Sequence, residues 1–328
     1  MAPGRATPIM PGTAACLRRL PAAPLHRLPE EPDSGGQAFW VTTGDGLRLR
    51  LGLWQPAGTA RGTVLLFQGR TEYLEKYSPI AAWLAAQGLA VIAPDWRGQG
   101  LSDRLLADPR PGHVGDFADY RADVAAVVSA AESLALPRPW QLLAHSMGGC
   151  IGLAALLDGL PVARAAFSAP MWGLHHPLVP GGVISALTSG ARVLHRSGRA
   201  AVGTGGGGTY LLDTRFRGNA LTSDARQWAR LVAQAGSWPE LTLGGATYGW
   251  IAAARREMAR LAAMPSPEIP ALIGLGGAEA VVSPAAIRRR AASWPQARLL
   301  DLPGARHELM FDHSAPQFLA AVEQLFAA

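Results

Sequence analysis

The chain has 328 residues, enough for one large domain or two small ones. It is 49% hydrophobic and 16% charged, which excludes global disorder and supports a packed core. The net charge of +6 is carried almost wholly by arginine, since Lys76 is the only lysine, and no basic stripe interleaved with aromatics marks a nucleic-acid partner.

Residues 1–22 read as a disordered extension and, since prolines break any apolar stretch there, not as a signal peptide. "AFWVTTGDGLRLRLGLW" (38–54) predicts two strands joined at a Gly-Asp-Gly turn. "GTVLLFQG" (62–69) is a continuous apolar run, the pattern of a buried parallel strand. A helix over 77–88, a strand and tight loop over 89–100, and a helix over 117–136 follow. "WQLLAHS" (140–146) is a strand, "GGCIGLAALLDG" (148–159) a small-residue helix, and 162–170 another strand. The alternation then stops. Residues 171–265 hold helical stretches such as 223–235 and a glycine tract at 203–208. It resumes with strands over 269–277 and 297–304 and helices over 283–294 and 315–326. Apolar strands alternating with helices predict an α/β fold with a mostly parallel, twisted sheet flanked by helices. The core is expected over 36–170 and 266–328, with 171–265 inserted as a helical cap.

Cys16 and Cys150 make no disulfide framework and no Cys/His metal spacing is present, so a reducing, cytoplasmic setting with no metal or cofactor is expected. No apolar run is long enough to span a membrane. The basic charge allows a weak membrane-surface contact, although no amphipathic basic helix stands out. Oligomeric state is not legible.

The chemistry gathers at strand ends. "LLAHSMGGC" (142–150) places Ser146 between a buried strand and a glycine-opened helix, where a nucleophile elbow projects its hydroxyl. Ala144 stands where that pattern usually has glycine, and the plainer alternative is a serine helix cap. A serine needs a base, and His307 in "LPGARHELMFD" (302–312) follows the last strand. A carboxylate must hold that imidazole: Glu279 follows the strand before, and Asp301 is the rival. An oxyanion hole would draw backbone N–H groups from Met147 and from Arg70, after "VLLFQG". The Arg70 and Glu72 side chains read either as a loop ion pair, the favoured reading, or as substrate contacts. Asp95 reads as a brace for its turn.

With these residues, "FQGRTEYLEKY" (67–77), "DWRGQGLSDR" (95–104), "AHSMGG" (144–149), "SAPMWGL" (168–174), "TYGWIAA" (247–253) and "GARHELMFD" (304–312), the chain resembles an α/β-hydrolase. More narrowly, it resembles the bacterial lysophospholipase and monoacylglycerol lipase-like group with a serine aminopeptidase-type domain. The resemblance spans from about residue 36 to the C-terminus and carries over nucleophile to Ser146, base to His307, acid to Glu279 and oxyanion donors to Arg70 and Met147. Ala144, Gln68 and Glu279 depart from the usual glycine, histidine and aspartate. The resemblance implies hydrolysis of a fatty-acyl monoester, a lysophospholipid or monoacylglycerol. Acyl transfer, small-amide cleavage and a non-catalytic binding role are the alternatives. Met171, Trp172, Leu174, Leu178, Val179, Val183, Ile184 and Leu187 would wall an acyl channel, or simply glue the cap to the core.

Overall fold

The computed structural model describes residues 17, 20–175, 181–205 and 208–328. Nine strands form one sheet: β1 (Ala22–Ala23), β2 (Gln37–Thr42), β3 (Arg48–Trp54), β4 (Thr63–Phe67), β5 (Ala90–Pro94), β6 (Trp140–His145), β7 (Arg164–Ser168), β8 (Ala271–Gly276) and β9 (Ala297–Leu302). Their order is β1-β2-β3-β5-β4-β6-β7-β8-β9. The first three strands run antiparallel and the rest pair in parallel. Every residue of β4, β5, β6 and β8 is buried, because helices cover both faces of the parallel part. β9, at the edge, keeps several partly exposed positions.

The flanking helices are α1 (Leu74–Ala86), α2 (Tyr120–Ser133), α3 (Met147–Leu157), α8 (Pro284–Ala292) and α9 (Ala315–Ala327). Between β7 and β8 come α4 (Gly181–Val193), the single turn α5 (Tyr210–Asp213), α6 (Ala225–Ser237) and α7 (Tyr248–Ala263). Among the described residues this insert contains no strand, and it returns to the strand next to the one it left. The expectation of an α/β-hydrolase core holds.

At the end of the expected extension, Ala22 pairs with Phe39 and Ala23 with Ala38. Leu28 is buried, and the Pro24 carbonyl accepts from Arg50. A short ladder and one buried guanidinium thus hold a segment that has no apolar periodicity. Residues 1–16, 18 and 19 lie outside the described residues.

The sheet brings four loops to one end. β4 runs into Gln68–Arg70, β6 into Ser146, β8 into Glu279 and β9 into His307. In open parallel sheets this carboxyl end is where ligands bind. Buried charge stitches the loops together. Arg50, fully buried, donates to both Glu75 oxygens at 2.8 Å and to Asp95 at 2.7 Å. Asp95 also accepts from Gln68, from the Leu74 amide that starts α1, and from the Leu101 amide.

Replacing Arg50 with methionine leaves two buried carboxylates without a counter-charge, so it should cost about 3–5 kcal/mol of stability. Urea unfolding followed by circular dichroism measures this, and a loss under about 1 kcal/mol would remove the central place given to that cluster.

Candidate active site

Ser146 sits at φ 49° and ψ −117°, in the left-handed region, as the last residue before α3. Such a backbone costs on the order of 1–3 kcal/mol and persists only when its surroundings enforce it. Here the Ser146 amide donates to the Ser168 carbonyl at 3.1 Å, and its carbonyl accepts from the Met171 amide at 2.8 Å. Gly148 lets α3 close on β4: a Cβ there would run into the carbonyl oxygens of Phe67 and Gln68. Gly152 faces Ala144 across the strand–helix contact; a Cβ there would lie 3.4 Å from the Ala144 methyl and 3.0 Å from the Leu142 side chain.

His307 closes on this serine. Its Nδ1 lies 2.8 Å from Glu279 Oε2 and its Nε2 lies 2.9 Å from Ser146 Oγ. With the Nδ1 proton donated to the carboxylate, Nε2 is left to accept from the hydroxyl. Glu279 spends its other oxygen on the amides of Val281 at 2.6 Å and Val282 at 3.1 Å. Burial alone would raise its pKa, but the charge and hydrogen bond of His307 and these two amides hold it below the ordinary carboxylate value. The extra methylene of glutamate is absorbed by the 279–282 turn, which folds the carboxylate back onto its own backbone. Asp301 is half-exposed and pairs with Arg288, away from His307. The insert fixes the His307 loop: Glu308 N donates to Leu221 O at 2.8 Å, and Arg306 donates to the carbonyls of Asn219 and Thr222.

Two amides are free beside the serine. Met147, as the first residue of α3, has no intrahelical acceptor, and no protein acceptor takes the Arg70 amide among the described residues. The Arg70 loop is held on either side. The Gly69 amide donates to Glu72, the Gly69 carbonyl accepts from Gln99 at 3.0 Å, and the Thr71 amide donates to Gln99 at 3.0 Å. Gln68, in the place of the usual histidine, ties the loop to β5 through the Pro94 carbonyl and Asp95.

The expected Arg70–Glu72 ion pair is not formed. Glu72 instead binds Lys76, the Tyr77 hydroxyl and the Gly69 amide, while Arg70 donates to the Gly244 carbonyl of the insert. Lys76 also reaches Glu308 at 2.7 Å, so the chain's only lysine links the Arg70 loop to the residue after His307. A compact ammonium suits this buried site between two carboxylates better than a planar guanidinium. His145 completes the cluster, donating from Nδ1 to Ser168 O at 2.9 Å and packing 4.8 Å from the His307 ring. Glu72, His145 and Glu308 bring potential metal-ligand atoms within 4.8 Å of one another, but the Lys76 ammonium already supplies the positive charge there. This network is not legible in spacing. Its one signal is a lone lysine in an arginine-rich chain.

The arrangement can draw a proton from the serine hydroxyl, with carboxylate charge behind the imidazole. Residues 58–314 match the family described as serine aminopeptidase, S33. The chain belongs to this family. Lysophospholipase L2 of Escherichia coli strain K12 is 33% identical over 269 residues, 78% of this chain and 77% of that protein. A probable lysophospholipase L2 of Haemophilus influenzae is 29% identical over 266 residues, 79% and 81% of the two chains. A soluble variant of monoglyceride lipase from Saccharomyces cerevisiae shares the fold, with a TM-score of 0.69 at 20% identity over 92% of this chain and 97% of that one. As a member of this S33 group the chain is a serine ester hydrolase.

The residues expected either to wall an acyl channel or to glue the cap to the core differ in their surroundings. Trp172 packs against Phe167 and Trp294 and donates to the Gly149 carbonyl, so its ring is spent on the core. Met171 is buried beside Ser146 through its amide, and Leu174 bridges to Val282 in the Glu279 turn. Val183 and Leu187 face solvent instead of the serine, because only Thr188 and Ala191 of α4 are buried. Leu178 and Val179 lie outside the described residues. No helix among the described residues is long and apolar enough to cross a membrane.

The lowered Glu279 pKa means its carboxylate stabilises the fold above the ordinary carboxylate range, a contribution lost as pH falls through the lowered value. Glu279→Gln should therefore destabilise near neutral pH, with the gap to the parent narrowing in acid. Unfolding midpoints measured across the acid range check this; a gap that stays constant would contradict it.

Proposed function

We propose that the chain hydrolyses fatty-acyl monoesters, a lysophospholipid or a monoacylglycerol, with Ser146 as nucleophile, His307 as base and Glu279 as the acid that orients it. The observation that carries this is the unbroken hydrogen-bond chain from Glu279 through His307 to a serine on a strained turn. Ser146 Oγ attacks the ester carbonyl carbon while His307 Nε2 takes its proton. The amides of Met147 and Arg70 stabilise the resulting oxyanion. Collapse breaks the ester C–O bond, and His307 returns the proton to the leaving alcohol. Water, deprotonated by His307, then attacks the acyl carbon; the bond to Ser146 Oγ breaks, His307 returns the proton to Oγ, and the fatty acid leaves. The lysophospholipase names of the two bacterial relatives support the substrate class. The helical insert acts as a cap over the serine, a reading supported by its contacts to Arg70 and to the His307 loop. Met171 and Leu174 remain the candidates for the acyl wall.

The outer face of the insert supports a lipid-surface partner. Every exposed large hydrophobic residue among the described residues lies there: Val183, Leu187, Val193, Leu194, Val202, Tyr210 and Leu212. Residues 171–212 contain no Asp or Glu, and Arg192, Arg196 and Arg199 are exposed. Apolar side chains edged by unpaired cations fit an anionic bilayer surface. The sequence hides part of this, because Val183 and Leu187 also read as a hydrophobic lining.

Ser146→Ala should lower ester hydrolysis by roughly 10⁴- to 10⁶-fold. A p-nitrophenyl ester assay decides it, and near-parental activity would end the reading. In co-sedimentation, vesicles containing phosphatidylglycerol should retain the protein and pure phosphatidylcholine vesicles should not. Leu187→Ser combined with Leu194→Ser should abolish retention while leaving hydrolysis of a water-soluble ester intact; equal retention by both vesicle types would refute the charge argument.

A further inference from the structure

Arg70, partly exposed as a residue, differs from the buried cations. Arg50 is matched by Glu75 and Asp95, Lys76 by Glu72 and Glu308, and Arg97 by Asp45 and Asp123. Arg290 has no carboxylate, but it donates to the carbonyls of Leu261 and Met264 at the negative end of α7. Arg70 has neither kind of compensation. Among the described residues its side chain makes one hydrogen bond, to Gly244 O at 3.0 Å, and no ion pair. Its Nε is buried without an acceptor.

The surroundings crowd the guanidinium without neutralising it. The Trp250 ring lies 5.1 Å from Cζ. The Gly112 backbone packs so close that a Cβ there would lie 2.5 Å from Nη2. Loss of water lowers the Arg70 pKa to about 10, which still leaves it a cation at neutral pH. The residue as a whole keeps partial exposure, so the charge is desolvated without being sealed off. A desolvated, unpaired guanidinium is a strong receptor for an anion that can take its donors in pairs, and phosphate has that geometry.

Its position says which anion. In the proposed mechanism the Arg70 amide meets the oxyanion, so its guanidinium lies within one arginine length of the reacting ester. In a lysophospholipid a glycerol spacer separates the scissile ester from the phosphate. A monoacylglycerol has a neutral hydroxyl at that end. Resting on the Ser146 reading, we propose that the Arg70 guanidinium binds the headgroup phosphate of a lysophospholipid and makes the site selective for phosphate-bearing over neutral monoesters.

The test uses full-length Ser146→Ala protein and two non-hydrolysable ether analogues of equal chain length, an ether lysophosphatidylglycerol and an ether monoglyceride, with affinities from calorimetry. Adding Arg70→Met should weaken the phosphate ligand about 10- to 100-fold more than the neutral one, the range for losing hydrogen bonds to a charged group. Arg70→Lys, which keeps the charge but not the fork, should fall between and serves as the second variant if the methionine protein does not fold. Equal weakening of both ligands would show that Arg70 only supports the fold, and no change would show that it does not meet the headgroup; either overturns the proposal. Glycerol 3-phosphate binding as tightly as the ether lysolipid would also overturn it, pointing to a free phosphate site. Because binding is read on a serine-less protein, a failure of the hydrolase reading appears separately, in the ester assay.

Discussion

The site depends on one strained residue. Ser146 can hold a positive φ only because β7 and the chain just after it grip its amide and carbonyl, and because Gly148 lets α3 lie against the end of β4. That close approach is what sets the Met147 amide beside the Arg70 loop. The sheet supplies the rigidity. Parallel strands buried on both faces leave the elbow little room to relax.

Around this elbow, buried charge does what apolar packing cannot: it fixes loops that have no regular structure. Arg50 joins the N-terminal segment, β3, β5 and α1. Lys76 joins the Arg70 loop to the His307 loop through two carboxylates, and burial is offset by their charge. Such clusters are costly to bury and costly to break, so they tolerate few geometries. Arg70, which has neither a carboxylate nor a helix end to face, stands out against that pattern.

Most of the core was legible because it rests on local rules. Strand–helix alternation, apolar runs and glycine stops predicted the parallel sheet, and their order pointed to Ser146, Glu279 and His307. The departure at Ala144 could not be judged from sequence, since the helix residue that faces it, Gly152, is visible only once strand and helix are packed. Pairing between side chains was poorly legible for the same reason. Glu72 stands two residues from Arg70, yet its partners are Lys76 and Tyr77, chosen by the turn of α1. The early strand β1 gave no signal, as two alanines carry no pattern. In the insert, hydrophobicity alone could not tell an inward wall from an outward face.

The central claim is that Ser146 is an activated nucleophile, and a fluorophosphonate probe tests it most directly. Mass mapping after labelling the intact protein should find a single adduct on Ser146, formed much more slowly when His307 is replaced by alanine. No adduct, an adduct on another serine, or a rate indifferent to His307 would contradict the account.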